Sequence, residues 1–175
     1  MKKRTLGRLA ALILAVALLA GTLAGCSHEI DYSRADVTPS DAWYVTDEAG
    51  VLSADTKAWL AALGDDLYHN VEECDLVVVT VGFTGNKSTE DFAYDLFNDW
   101  QIGNEGTNRG VLLLLVVGAE DYWCVQGAGL ETRLPTSSIS RILNQYLEPD
   151  FAVGNYDAGV RATAAALYDE LAASF

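Results

Sequence analysis

The chain has 175 residues, half of them hydrophobic, with 25 acidic residues against 11 basic ones and a formal net charge of −14. So acidic a composition leaves no basic face for a phosphate backbone or for anionic lipid headgroups, which argues against nucleic acid as a partner. Once a leader is set aside, the length suits one domain with a core of its own.

Lys2, Lys3, Arg4 and Arg8 precede an apolar run from Leu9 to Leu23, which ends on Leu23-Ala24-Gly25-Cys26. A positive start, a hydrophobic stretch and small residues before a cut are the parts of a secretory signal. The run is shorter than the roughly 20 apolar residues of a spanning helix. Cys26 directly after Leu-Ala-Gly resembles the lipobox of bacterial lipoproteins. That resemblance implies that residues 1–25 are removed and that the Cys26 thiol carries lipid, palmitate among its acyl chains. At about 0.8 kcal/mol per buried methylene, two or more chains give a lasting anchor. The expected location is outside the cytoplasm, moored to the cell membrane through Cys26. The four leader cations are lost on cleavage, while every acidic residue follows Cys26, so the exported part carries 7 basic residues and a net charge of −18. Such a surface keeps a protein soluble and suits divalent cations or basic partners. His28 to Asp41 is polar with no apolar period, so residues 26–42 read as a tether and 43–175 as the folded domain.

Asp47 to Leu52 reads as an irregular segment turning at Gly50. Ser53 then caps a helix, with Asp55 in its first turn and Leu60, Leu63 and Leu67 on the inner face. Gly64 weakens this helix without ending it. Leu76 to Val81 is β-branched and almost wholly apolar, the pattern of a strand buried on both faces. After a loop from Gly82 to Lys87, Ser88 and Asp91 form a capping-box pattern at the start of a helix whose apolar face is Phe92, Leu96 and Trp100. Ile102 to Gly110 is a loop rich in Gly and Asn. Val111 to Val117 is the second buried strand, and Tyr122 to Gln126 returns antiparallel across a short turn. A tight loop, Gly127 to Glu131, leads to a helix with Ile139, Ile142, Leu143 and Tyr146 inward, expected to stop before Pro149. A last helix opens at Asn155 or Asp157 and buries Val160, Ala164, Leu167 and Leu171. Helices alternating with buried strands predict an α/β domain.

Asp47, Asn104, Asn108 and Glu131 carry oxygen ligands in loops beside glycines, and Asp47 and Glu131 form one cation site if their loops are neighbours. The same residues also serve simply to stabilise turns. Gly127-Ala128-Gly129 lacks the lysine of a P-loop and the spacing of a dinucleotide fingerprint, and reads as a turn limited by backbone contact. Trp100 reads as a core or rim aromatic. His69 lies near a helix end, where it interacts with the dipole. No nucleophile elbow and no His/Cys cluster for zinc is present. Cys74 and Cys124 are either a disulfide or two buried small hydrophobes.

Four ordered motifs carry a family resemblance: Asp47-x-x-Gly50-x-Leu52, Phe97-x-x-Trp100-x-Ile102-Gly103, Asn108-x-Gly110-Val111-Leu112-Leu113-Leu114, and Gly127-x-Gly129-Leu130-Glu131-x-x-Leu134. Together they resemble the TPM domain, also called TPM phosphatase after plant thylakoid-lumen relatives, over roughly Trp43 to Leu171. The resemblance implies a three-layer α/β/α sandwich with a small mixed sheet, displayed outside a membrane. It implies divalent cation binding, Ca²⁺ or Mg²⁺, with Asp47, Asn108 and Glu131 at the polar positions of the motifs. Two functions follow from it: a module that binds a cation or a membrane-protein partner in envelope or membrane-protein maintenance, or a divalent-cation-dependent acid phosphatase. The chain departs from the family pattern at Pro135-Thr136-Ser137, where relatives commonly have an Asp, and at Tyr122-Trp123-Cys124, where they are often basic.

Overall fold

The computed structural model describes residues 37–175. The leader, Cys26 and residues 27–36 of the expected tether lie outside the described residues. Four strands make one sheet in the order β1 (Val45–Asp47), β2 (Asp75–Val81), β3 (Gly110–Val116), β4 (Asp121–Gln126). The first three are parallel and β4 returns antiparallel beside β3. The helices are α1 (Ala54–Asn70), α2 (Thr89–Asp99), α3 (Thr136–Ile142), α4 (Glu148–Phe151) and α5 (Tyr156–Ser174).

Every residue of β2 and β3 is buried, which their unbroken apolar runs require. Because side chains alternate along a strand, the two strands feed two separate cores. Leu76, Val78, Val111, Leu113 and Leu115 pack with Leu60 and Leu67 of α1 and with Ile139, Leu147, Val160 and Leu167 from the carboxyl-terminal helices. Val77, Val79, Leu112 and Leu114 pack on the other side with Phe92, Ala93 and Leu96 of α2. The result is the expected α/β/α sandwich around a mixed sheet. Ser53 and Ser88 cap α1 and α2, accepting from the N–H groups of Thr56 and Asp91. Among the described residues, no helix is long and apolar enough to cross a membrane.

Two expectations need correction. Residues 48–52 are irregular as expected, but Asp47 itself ends a short edge strand, Val45–Asp47, paired in register with Val78–Thr80. The chain just before it is also held, since Ser40 donates through its hydroxyl to the Val45 carbonyl (2.6 Å) and Val37 packs against the α2-side core. The third helix does not stop before Pro149. It passes through a wide π turn at Leu143–Leu147 into α4, where Pro149 occupies the first turn. Proline in a regular helix interior lacks a needed donor and strikes the carbonyl four residues back. The wide turn, in which the Glu148 N–H reaches the Leu143 carbonyl, restarts the hydrogen-bond register. Pro149 therefore meets the conditions of a helix start, which proline tolerates.

Candidate functional site

Parallel pairing puts the starts of β2 and β3 at one end of the sheet, with Asp75 opposite Gly110, and the antiparallel return brings the end of β4 there as well. The helices α1 and α2 run back against the strands, so their carboxyl-terminal turns arrive at the same end. Between them lies an open cleft of about 650 Å³. Trp43 and Tyr44 line it from the segment before β1, Tyr68 from the last turn of α1, and Asp75 from the head of β2. Phe97 and Asn98 come from the last turn of α2, and residues 101–105 with Asn108 come from the loop that follows.

Asp75 is 7% exposed. Its Oδ2 accepts the Gly103 N–H at 2.9 Å, and its own N–H donates to the Arg109 carbonyl at 2.9 Å. Burial pushes its carboxyl above the ordinary aspartate value, and the Gly103 N–H offsets only part of that rise. The Tyr44 phenol is pushed up to about 12, by burial first and then by the charges of Asp75 and Asp65. It is therefore a neutral donor at physiological pH. At the rim, Asn104 Nδ2 donates to Glu73 Oε2 (2.7 Å), and the Trp43 ring lies 6.4 Å from that of Trp100. None of the residues lining the cleft is Lys, Arg or His. Arg109, next to Asn108, turns its guanidinium away to the carbonyl and carboxylate of Glu72 and to the Phe175 ring.

Left-handed backbone concentrates here. Trp43 (φ 52°), Gln101 (φ 53°) and Asn108 (φ 50°) line the cleft, and Glu72 and Glu73 adjoin it. Each such non-glycine residue costs on the order of 1–3 kcal/mol and persists only where packing over-determines it, as at binding sites. The loop that holds Asn108 is pressed against the loop after β4. A Cβ on Gly127 would lie 2.2 Å from the Asn108 carbonyl oxygen, and one on Gly129 would lie 1.9 Å from that of Thr107. The Gly-x-Gly pair is thus a site of backbone contact, as its sequence context suggested, and the Gly129 N–H donates to the Asn108 carbonyl.

The four residues singled out for their oxygens separate. Asn104 and Asn108 line the cleft. Glu131 is exposed, after the turn that follows β4, at that same sheet end. Asp47 is at the opposite end, beside Thr80, removed by the run of β2 from Asp75 to Thr80, about 16 Å at ~3.3 Å per residue. Asp47 and Glu131 do not meet, because antiparallel β4 carries the Glu131 loop back to the strand starts. The Asp47 side chain is 2% exposed and takes four donors: Val51 N–H and Leu52 N–H at 3.0 and 3.1 Å, Thr80 Oγ1 at 2.6 Å and Lys57 Nζ at 3.4 Å. Burial alone would raise its pKa, but these donors outweigh it and hold the carboxyl below the ordinary value. A carboxylate offers about four lone-pair positions, and here the protein itself fills them. Asp47, Asn108 and Glu131 therefore do not fit one divalent ion. Among the described residues, no group of three or more His, Cys, Asp or Glu is placed to hold a metal.

Cys74 and Cys124 are separate thiols. Burial raises their pKa values to about 11 and about 12, so both stay protonated and unreactive. Sequence reasoning missed Asp75, Trp43 and Tyr44. The signal for Asp75 is a carboxylate at the head of an apolar run, which must be either desolvated or placed to face a ligand. No periodic pattern marks Trp43 and Tyr44, which precede a three-residue strand.

A family model described as the TPM domain matches residues 45–170. No curated protein matches the chain. Solved structures do. The N-terminal domain of a protein from P. gingivalis is 34% identical, with a TM-score of 0.69 over 75% of this chain and 83% of that one. BA42 from the psychrophilic bacterium Bizionia argentinensis is 19% identical, with a TM-score of 0.61 over 71% and 83%. The N-terminal domain of cg2496 from Corynebacterium glutamicum is 16% identical, with a TM-score of 0.58 over 79% and 86%. The last two speak to the fold alone.

Proposed function

The chain belongs to the TPM domain family, and on that premise we propose that it is a lipid-anchored module outside the cytoplasm whose cleft at Asp75 binds a partner or a cation in membrane-protein maintenance. The observation that carries this reading is the cleft itself: an open, acidic, aromatic-walled space with a desolvated carboxyl and locally strained backbone around it. Binding sites on such folds are a few polar groups set among apolar walls. The anchor rests on the leader and on Cys26, which would hold the domain at the membrane where a membrane-protein partner is met.

Two measurements test the reading. Mass spectrometry of the full chain expressed in a bacterial host should find a diacylated or triacylated peptide beginning at Cys26, absent from Cys26→Ala; an unmodified Cys26 removes the anchor. If the ligand is a divalent cation, thermal melting of the full chain in detergent with Ca²⁺ or Mg²⁺ at 100 times Kd shows a gain of about 2.7 kcal/mol. No shift at millimolar metal leaves the partner as the only ligand.

The family model's label as a phosphatase keeps a second reading in view, a divalent-cation-dependent acid phosphatase. The chemistry of the cleft weighs against it, since an acidic wall repels phosphate unless metal compensates. Assays on wild type, Asp47→Ala and Asp75→Asn decide: equal rates in all three mean background hydrolysis, and a loss in either variant restores the enzyme.

A further inference from the structure

This inference rests on the reading of the cleft as a binding site and names what enters it. In open α/β sheets, ligands usually sit beyond the carboxyl ends of the strands, where helix amino termini point at anions. This cleft is at the other end. It faces the carboxyl-terminal turns of α1 (17 residues) and α2 (11 residues), the negative ends of their helix dipoles, which favour cations. Asp75 adds a carboxyl that is 7% exposed and lines the cleft, steadied through Oδ2 by Gly103. No lining side chain is basic.

The charge of the site thus selects a cation, and its walls select which kind. A divalent ion wants six or more oxygens at close range; the cleft of about 650 Å³ offers the buried carboxylate of Asp75 and the exposed one of Glu105, and among the described residues no three His, Cys, Asp or Glu are grouped to hold a metal. It also presents the rings of Trp43, Tyr44, Tyr68 and Phe97. Rings beside a carboxylate suit an organic cation, whose charge lies over a ring face and whose stem needs apolar cover. We propose that the cleft receives an arginine or lysine side chain from a polypeptide partner. Asp75 pairs with the charged head, and the rings cover the stem. Arginine is the better fit, because its planar guanidinium pairs with a carboxylate and stacks on an aromatic face at once.

The test is a titration of the isotope-labelled full chain in detergent micelles, followed by amide NMR. The probes are acetyl-arginine methylamide, the lysine and glutamine equivalents, CaCl₂ and MgCl₂. The basic probes should give saturable shifts at Trp43, Asp75 and Gly103, with the glutamine probe silent. Asp75→Asn keeps an acceptor for the Gly103 N–H and should weaken arginine binding about tenfold or more. Tyr68→Leu removes one ring while leaving the carboxyl in place, and should weaken it about threefold or more. Equal binding of glutamine and arginine, or unchanged affinity in Asp75→Asn, overturns the proposal. Saturation by Ca²⁺ or Mg²⁺ with the basic probes silent overturns it while leaving the cleft a binding site. Silence of every probe removes both readings.

Discussion

Asp75 and Asp47 are both aspartates with little access to water, yet burial has opposite outcomes for them. Asp75 has one N–H for its carboxyl, so desolvation dominates and the charged form is harder to hold in the fold than in water. Its charge at neutral pH therefore costs stability. Asp75→Asn should raise Tm at pH 7, by about 2–4 °C for each kcal/mol recovered. The difference should shrink as pH falls through the raised pKa, where the wild-type carboxyl becomes neutral as well; a variant less stable than wild type at pH 7 would refute this. Asp47 has four donors and a lowered pKa, so its contribution is present above the ordinary value of 3.8 and lost as pH falls through the lower folded-state value. Asp47→Asn should cost about 1–3 kcal/mol at pH 7 by urea melting. Wild type and variant should converge only in strong acid, and convergence already at pH 5 would contradict the assignment. The sequence marked Asp47 and Asn108 as polar residues at loop positions; Asn108 is one, and Asp47 ends β1. It did not tell a ligand from a staple, because that depends on which backbone N–H groups converge on the carboxylate, and those belong to residues 51 and 52, folded back by a turn.

At the scale of elements, periodicity and caps made α1, α2, α5, β2 and β3 legible. Each has a repeating apolar face or an unbroken apolar run, and Ser53 and Ser88 sit where donors need acceptors. β1 was not legible, because Val45–Asp47 is too short for a period and is held by its partner strand more than by propensity. Pro149 misled for the converse reason: a widened turn removed the clash that usually ends a helix. Contact between α1 and the segment before β1 yields a further prediction. A Cβ on Gly64 would lie 2.3 Å from the Cγ of Tyr44. Alanine gains about 1 kcal/mol of helix propensity over glycine, but overpacking at such a contact costs about 1–3 kcal/mol. Gly64→Ala should therefore be neutral to destabilising and should displace Tyr44 from the cleft wall. The readout is a urea melt together with Tyr44 ring resonances, and a clear gain in stability would show that the ring is free to move.

For the whole molecule, two doubly buried strands alternating with helices were enough to predict a layered α/β domain, and the family resemblance implied the three-layer sandwich. The antiparallel return of β4 was predicted, but the separation of Asp47 from the Glu131 loop was not, since it depends on β1, a strand too short to read, pairing with β2 at the edge of the sheet. One long-range tie closes the carboxyl-terminal helix onto the cleft end of the sheet. The Phe175 ring lies 3.7 Å from the Arg133 guanidinium and 5.1 Å from that of Arg109, and Arg133 also donates to the Ser174 carbonyl. Phe175→Ala should cost about 1 kcal/mol and shift amide resonances around Asn108 more than those around Asp47; equal shifts at both ends would argue against the tie. There is a practical corollary for anyone producing this protein. A label or crosslinker placed at Phe175 or Ser174 would disturb both arginine-bearing loops, so a loss of binding seen with it would report on the label, and a handle placed elsewhere is the sounder choice.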